Sequence, residues 1–453
     1  MSTDQVWLDA FRERAPSLPG AALPWLAQIR QQALERFETE GWPTIRTDPL
    51  NDPWRHTSLQ SLGRSSFVAP DAAASASAGT QLQQLLGAMR EGEQDENGHW
   101  LVFVDGTHAE SLSAPGSLPE GVILTSLAHA LAEFPERVEA VFGAAEDGYS
   151  PAALNAAMAA DGAFITLRRG VAVEHPVHLV FVSATPQAAA HVRNLIVAET
   201  GAQATIVEHH VSAHADRNLS NIVTRIECAE DARVTHVKLQ QESEQAVHLA
   251  RIEARQGRDS MFASHSLSFG ARLARNDIVT RFDGNGCETL FNGLYHVDGK
   301  RHVDHHTTID HAHPHGTSHE YYRGIVDGDG RGVFAGRIVV GVGALRTDAI
   351  QRTDNLLLSA QAEADARPEL EIYADDVKCA HGATVGRIDE TALFYLRTRG
   401  IEEERARNLL TWAFAAEALG RIAVPSLRRR ARTALLDRLP GGAELARTME
   451  EFQ

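Results

Sequence analysis

The sequence predicts a mainly β chain whose centre is a β-solenoid lying between two helical regions. Three observations carry this. Apolar residues recur every three or four positions in the first and last parts of the chain, as helices require, but alternate with period two in the middle. Turn clusters TGAQ (200–203), AEDA (229–232), QGRD (256–259) and DGNG (283–286) recur at intervals of roughly 26–30 residues. No helical pattern intervenes between them. Successive turns therefore read as stacked coils, each pairing its backbone with the coils on either side. A β-sandwich gives the same alternation and is the competing architecture.

The elements follow in order. Pro24 sits at a first helical turn, and Leu26, Ile29, Ala33 and Phe37 follow at three- and four-residue steps until Gly41 stops the helix. DAAASASAGT (71–80) has too little bulk to pack and reads as a connection. WLVFVDG (100–106) reads as a strand closed by a turn, and SLAHALAEFPERVEAVFG (126–143) returns to helical spacing. VHLVFV (177–182), VRNLIV (192–197), ATIVEHHV (204–211) and RVTHVKL (233–239) are strands of the β-rich region. After residue 388, Asp389 caps a helix that ends at Gly400, and the next helix repeats Ala406, Leu409, Leu410, Ala413 and Phe414 on one face. Pro425 opens a third helix, whose Arg428, Arg429, Arg430 and Arg432 form a solvated basic face or a contact for an acidic partner.

Composition narrows the functions. The chain of 453 residues has room for two or three domains, and 43 Lys and Arg against 60 Asp and Glu give a formal charge of −17. Such a chain repels phosphate backbones and anionic lipids, so neither nucleic acid nor a membrane surface is an expected partner. Cys228, Cys287 and Cys379 are odd in number, widely spaced and without a CxxC, which fits neither a disulfide framework nor a structural zinc site. A reducing cytoplasm is the expected location. The N-terminus carries Asp4, Asp9 and Glu13 without an apolar segment, so it reads as neither a signal nor a transit peptide, and no apolar run reaches the about 18 residues of a membrane span.

Two clusters carry chemistry. HVDHHTTIDHAHPHGTSHE (302–320) holds seven histidines. His313, His315 and Glu320 give HxH(x)4E, the ligand spacing of cupin metal sites, although the flanking glycines of that pattern are replaced by Thr307 and Asp327. A cupin-like metal-dependent enzyme is thus one reading. On an extended strand, alternation instead places His305, His311 and His313 with Val303 and Ile309, and His302, Asp304, His306 and Asp310 on the opposite side. Imidazoles and carboxylates hydrogen-bonded along adjacent coils are the second reading. Cys379 and His381 form the other cluster: one residue apart on a strand, they face the same side and can both ligate iron. A packed cysteine beside a packed histidine accounts for the same spacing. GDGRG (328–332) lies between strands, and the chain contains no GxxxxGK[ST], so it should not hydrolyse ATP by itself.

DHAHPHGTSHEYYRGIVDGDGRGVFAGRIVV, followed by RTDAIQRTDNLLLSAQAEADARPELEIYADDVKCAHGATVGRIDETALFYLRTRG, resembles the SufB/SufD family of iron-sulfur cluster assembly scaffolds. The strong motifs span about residues 300–420, and KCAHGATVG is more similar to the SufD branch than to the SufB branch. PTIRTDPLNDPWRHTSL (43–59) is similar to a SufD motif, with Asp52-Pro53 where an acidic pair often stands. The resemblance implies a right-handed parallel β-helix at about 165–388, flanked by a mainly helical N-terminal domain (1–164) and a C-terminal helical domain (389–453) that docks an ATPase. It implies a non-catalytic scaffold subunit of the SUF system, paired with a SufB-like subunit through the β-helix and with a SufC-like ATPase through the C-terminal helices. A homodimer is the alternative form for the isolated chain. It further implies a transient iron-sulfur cluster at the SufB-SufD interface, held by His381 as ligand with Cys379 as a less essential thiol, and ATP only through the SufC partner.

Overall fold

The computed structural model describes residues 5–45, 53–70, 79–91, 98–439 and 441–450. Residues 71–78 of the small-residue connection and 46–52 of the PTIRTDPLNDPWRHTSL stretch lie outside them. The chain is mainly β, a solenoid of about eight turns with helices before and after it. From residue 163 onward it alternates between two sheets, so that each strand pairs in parallel with the strand two further along. One sheet has ten strands and ends at Lys378–Gly386; the other has nine and ends at Glu363–Ile372. Val247 pairs with Leu273 and Arg331 with Glu363, so one coil takes 26 to 32 residues, the interval at which the turn clusters recur. This is the solenoid; the sandwich alternative is excluded by the parallel pairing.

The recurring turns have a physical cause. At one corner every coil turns through a left-handed residue: Gly201, Asp231, Asp259, Gly286, His315, Arg346 and Asp376 all have φ between 52° and 72°. The amide of each of the first six donates to a carbonyl of the next coil, as in Asp231 to Arg258 at 2.9 Å and His315 to Leu345 at 2.9 Å. Glycine and aspartate tolerate this backbone best, which is why those residues mark the first four turns. His315 and Arg346 then carry side chains that tolerate it less well, before Asp376 returns an aspartate to the corner.

The interior between the sheets holds an apolar cluster that includes Ile206, Val234, Phe262, Phe291, Ile309 and Ile338. The strand His99–Val104 already belongs to the ten-stranded sheet, pairing in parallel with Val177–Ser183. Thus the sheet begins within the region whose spacing is mainly helical. There the helix Pro24–Glu40 starts at its proline, ends at Gly41 (φ 64°) and buries Leu26, Ala33, Leu34 and Phe37. The single helical stretch expected over 126–143 is two helices, Leu127–Glu133 and Pro135–Phe142, because Pro135 cannot continue the first. All of Ser150–Met158 is buried, and its Asn155 ties it to the nine-stranded sheet through Val192 O and Asn221 O at 2.7 and 2.9 Å.

After the solenoid the Asp389 carboxylate accepts from Thr391 N and caps the helix Glu390–Thr398, and Gly400 follows at φ 84°. Glu403–Gly420 and Pro425–Leu436 then cover the outer face of the ten-stranded sheet, where Ala415, Ala418, Leu427, Ala431 and Leu435 meet Val237, Leu239, Leu267 and Leu294. The apolar face of the first of these is rotated from the expected one. Ala413 is exposed, and Thr411, Ala415, Ala418 and Leu419 are buried with Ala406. Small residues let that helix lie close to the sheet, while Arg323 stacks 4.7 Å from the Phe414 ring at its margin.

The corner geometry makes a stability prediction. His315→Gly relieves a left-handed histidine and should raise the denaturation midpoint, by an amount equivalent to about 0.5–1 kcal/mol once the extra entropy of glycine is deducted. His315→Val should lower it by about 1–2 kcal/mol. Equal midpoints for the two variants would contradict the assignment of His315 to the corner.

Candidate functional site at the open end of the solenoid

The histidine-rich stretch occupies the strand His302–His311, a turn and the start of Thr317–Val326, and its imidazoles go to separate tasks. His305 and His311 point into the interior, as alternation predicts. His305 lies within 3.4 Å of Ser266, Ser268 and Asn276 and stacks on Tyr295; His311 Nε2 is 2.8 Å from Ser318 Oγ. Burial pushes the first down to about 3 and the second to about 4, so both are neutral. On the other face His302 and His306 flank Asp304. Burial favours the protonated acid there, but His306 and Arg275 beside it hold the Asp304 carboxyl well below its usual range. His313 is exposed in the turn rather than on the inner face, because the strand ends at His311.

The PWRHTSL segment explains why this face is buried at all. Thr57 Oγ1 donates to Asp304 and lies 2.8 Å from His302 Nε2. Arg275 packs 3.8 Å from the Trp54 ring, donates to Pro53 O at 2.9 Å and pairs with Asp304 at 2.8 Å. Arg331 reaches His56 Nδ1 at 3.1 Å. The segment is a strap across three coils. Sequence reasoning singled out the motif without its target, for nothing local links it to strands more than 200 residues away.

The HxH(x)4E reading is overturned. His313 and His315 are exposed in the turn, whereas the Glu320 side chain is buried in the interior, where Gln351 Nε2 donates to it at 2.7 Å. The described residues contain no group of three or more His, Cys, Asp or Glu arranged to hold a metal. Of the other cysteines, Cys228 and Cys287 are buried, and burial raises both thiols away from the reactive thiolate.

Cys379 and His381 lie on Lys378–Gly386, the terminal strand of the ten-stranded sheet. Cys379 pairs in register with Ala349 and His381 with Gln351, so both belong to columns that face inward in every earlier coil. Among the described residues no further coil covers them. Cys379 is half-buried against the end of the core, and His381 is exposed. Burial, then Asp348, raises the Cys379 thiol. Both terminal strands have a hydrogen-bonding partner on one side only, and Ile372, Tyr373 and Val385 are 43%, 60% and 48% exposed. A long edge with uncovered apolar side chains is a template for another chain.

Fold and site together define an open-ended parallel β-solenoid that presents a thiol and an imidazole on its last coil. The family model for the SUF system FeS cluster assembly SufBD core domain matches residues 181–414, and that for the SufBD protein N-terminal region matches residues 1–179. The chain is 33% identical to an iron-sulfur cluster assembly SufBD family protein of Synechocystis, over 94% of this chain and 93% of that protein. It is 32% identical to SufD of Escherichia coli over 91% of this chain and 93% of that protein, and 27% identical to SufD of Bacillus subtilis over 95% and 96%. The chain belongs to the SufBD family of iron-sulfur cluster assembly proteins. Among the described residues no helix is long and apolar enough to cross a membrane.

Glu320 yields a pH prediction. Burial raises its carboxyl from 4.5 to about 7 against hydrogen bonds from Thr307 and Gln351, so the folded chain holds this proton more tightly than the unfolded chain does. That contribution to stability is complete below pH about 4.5 and is lost as pH rises through about 7. Glu320→Gln carries no such loss. Its stability relative to the parent should grow across that window to a plateau of about 3 kcal/mol. Denaturation at pH 4.5, 6 and 8 checks this, and a constant difference would contradict it.

Proposed function

We propose that the chain is a SufD-like scaffold subunit that builds and hands on nascent iron-sulfur clusters without catalysing a reaction of its own. The observation that carries this reading is the uncovered last coil, where inward-facing columns end in Cys379 and His381 on a strand paired along one edge only. A SufB-like subunit laid against this edge would satisfy its backbone groups and cover Ile372, Tyr373 and Val385. The cluster is cargo. A neutral imidazole holds iron yet is displaced more readily than a thiolate, which suits a site that must release what it binds. Cys379, half-buried and with its thiol raised, is the weaker ligand. The 32% identity to SufD of Escherichia coli supports the reading. Its place is the cytoplasm.

ATP hydrolysis then falls to a SufC-like partner docked on the C-terminal helices. Most of their apolar surface faces the sheet, but Phe394 and Tyr395 on Glu390–Thr398 are 67% and 57% exposed. Phe394→Ala with Tyr395→Ala should weaken ATPase association at least tenfold, measured by co-purification, while leaving the thermal midpoint within about 2 °C. Undiminished association would remove this surface from the interface.

The central test is His381→Ala in the assembled complex, scored for complex yield, ATPase rate and cluster formation. Cluster formation should fall at least tenfold with the complex intact. Normal clusters, or failure of assembly itself, would give His381 a structural role instead.

A further inference from the structure

We infer that Gln351, braced by Glu320, orients the His381 imidazole for iron, an inference that rests on the ligand role proposed for His381. Three observations carry it. In the parallel register Glu320 pairs with Gln351 and Gln351 with His381, so the three side chains occupy one inward-facing column at a spacing of about 4.8 Å per strand. Gln351 is 1% exposed, and its Nε2 donates to Glu320 Oε2 at 2.7 Å. Its carbonyl Oε1 is buried without a partner.

The hydrogen bond shows which way the amide points. Gln351 Nε2 is turned inward to Glu320 Oε2, which leaves the amide carbonyl for another donor. A buried acceptor left unpaired costs about 1–3 kcal/mol, which favours any donor that comes within reach. The inward-facing side chains of the last strand nearest to it are Cys379, a weak donor, His381, and Ala383, which has none. The amide reaches the facing sheet, where a Cβ at Gly336 would collide with Gln351 Nε2. Glycine there gives Gln351 room to reach across the interior.

For a ligand histidine such an acceptor matters. A neutral imidazole offers a lone pair on one nitrogen only when the other carries the proton, and an acceptor on that second nitrogen selects the tautomer and fixes the ring plane. An amide carbonyl does so without the full charge of a carboxylate. The imidazole is oriented but stays weakly basic, and hence displaceable.

The test uses the assembled complex with cobalt(II) as the spectroscopic probe. Gln351→Met keeps the length of the side chain and removes the acceptor; it should lower cobalt affinity 10–100-fold with complex yield unchanged. The double exchange Glu320→Gln with Gln351→Glu restores an acceptor, now charged, beneath His381. It should recover the affinity and raise by about one unit the pH midpoint below which cobalt is lost. The new carboxylate raises that midpoint only if position 351 lies against the imidazole, so the shift reports their contact and the recovered affinity reports the acceptor. Wild-type affinity in Gln351→Met, or an unmoved midpoint in the assembled double exchange, overturns the inference. His381→Ala separates the two levels: if it too binds cobalt like the parent, the ligand role fails, whereas loss in His381→Ala alone leaves that role standing and removes only Gln351.

Discussion

Every coil of a parallel solenoid needs a neighbour on both sides, and the two ends of this chain meet that requirement differently. At the N-terminal end the sheets are finished by antiparallel pairing. Thr107–His108 folds back on His99–Val104, and Val122–Ser126 on Ala163–Leu167. Leu82, Leu86 and Met89 cover Trp100, Val102 and Val104 beside them. A two-residue edge offers almost no template for another strand. Among the described residues the other end carries no such devices: two edges of nine and ten residues stand uncovered. An isolated chain bears the cost of those unpaired apolar side chains, so the open end makes sense in an assembly. Among the described residues it is there that inward-facing columns reach the surface.

In-register stacking has a second consequence, in the interior. One column runs Ile206, His236, Ser264, Phe291, Glu320, Gln351 and His381. Charges buried elsewhere in the interior are compensated locally. Glu208 accepts from Thr224 Oγ1 at 2.5 Å and lies 3.1 Å from His210 Nε2; Glu242 lies 2.7 Å from His248 Nδ1 and accepts from Ser220 and Gln240. Lys238 donates to Asn276, and burial pulls its ammonium down to about 8. Such groups add little net stability, because desolvation offsets most of the attraction. What they supply is register. A slip by one residue would turn these side chains to the wrong face and leave them unpaired. Glu320 differs from the others in having no cationic side chain among its hydrogen-bond partners, and its raised carboxyl reflects that.

Much of the fold was legible because it is written in local signals. Pro24 and Gly41, Asp389 and Gly400, and Pro425 mark helix ends through backbone chemistry that does not depend on the rest of the chain. The turn clusters are readable for the same reason, since Gly201, Asp231, Asp259 and Gly286 occupy left-handed corners. What was not legible depends on distant partners. His315 looks like a metal ligand in sequence, and only the column of corners shows it to be a turn residue. The HxH(x)4E spacing could not reveal that Glu320 points inward while His313 and His315 stay outside. Cys379 and His381 stood out through their spacing on one strand and through KCAHGATVG. Their register over Ala349 and Gln351, and hence the part assigned to Gln351, follows only from the pairing.

The link between the last coil and the C-terminal helices is short. The terminal strand ends at Gly386 and the next helix begins at Glu390, with Ile388 between them buried against Leu356, Leu393 and Ala406. Ile388 is thus a rivet joining the strand that carries His381, the helix that carries Phe394 and the longer helix behind it. Close packing of this kind passes displacement on rather than absorbing it. The helices Glu403–Gly420 and Pro425–Leu436 are committed to the outer face of the ten-stranded sheet, where removing them would bare Val237, Leu239, Leu267 and Leu294. Truncation of the whole helical region would therefore confuse loss of docking with loss of folding. The helix Glu390–Thr398 leaves Phe394 and Tyr395 exposed, and through Leu393 and Ile388 it is tied directly to the open edge. A force applied there has three residues in which to dissipate before it reaches the strand of Cys379 and His381.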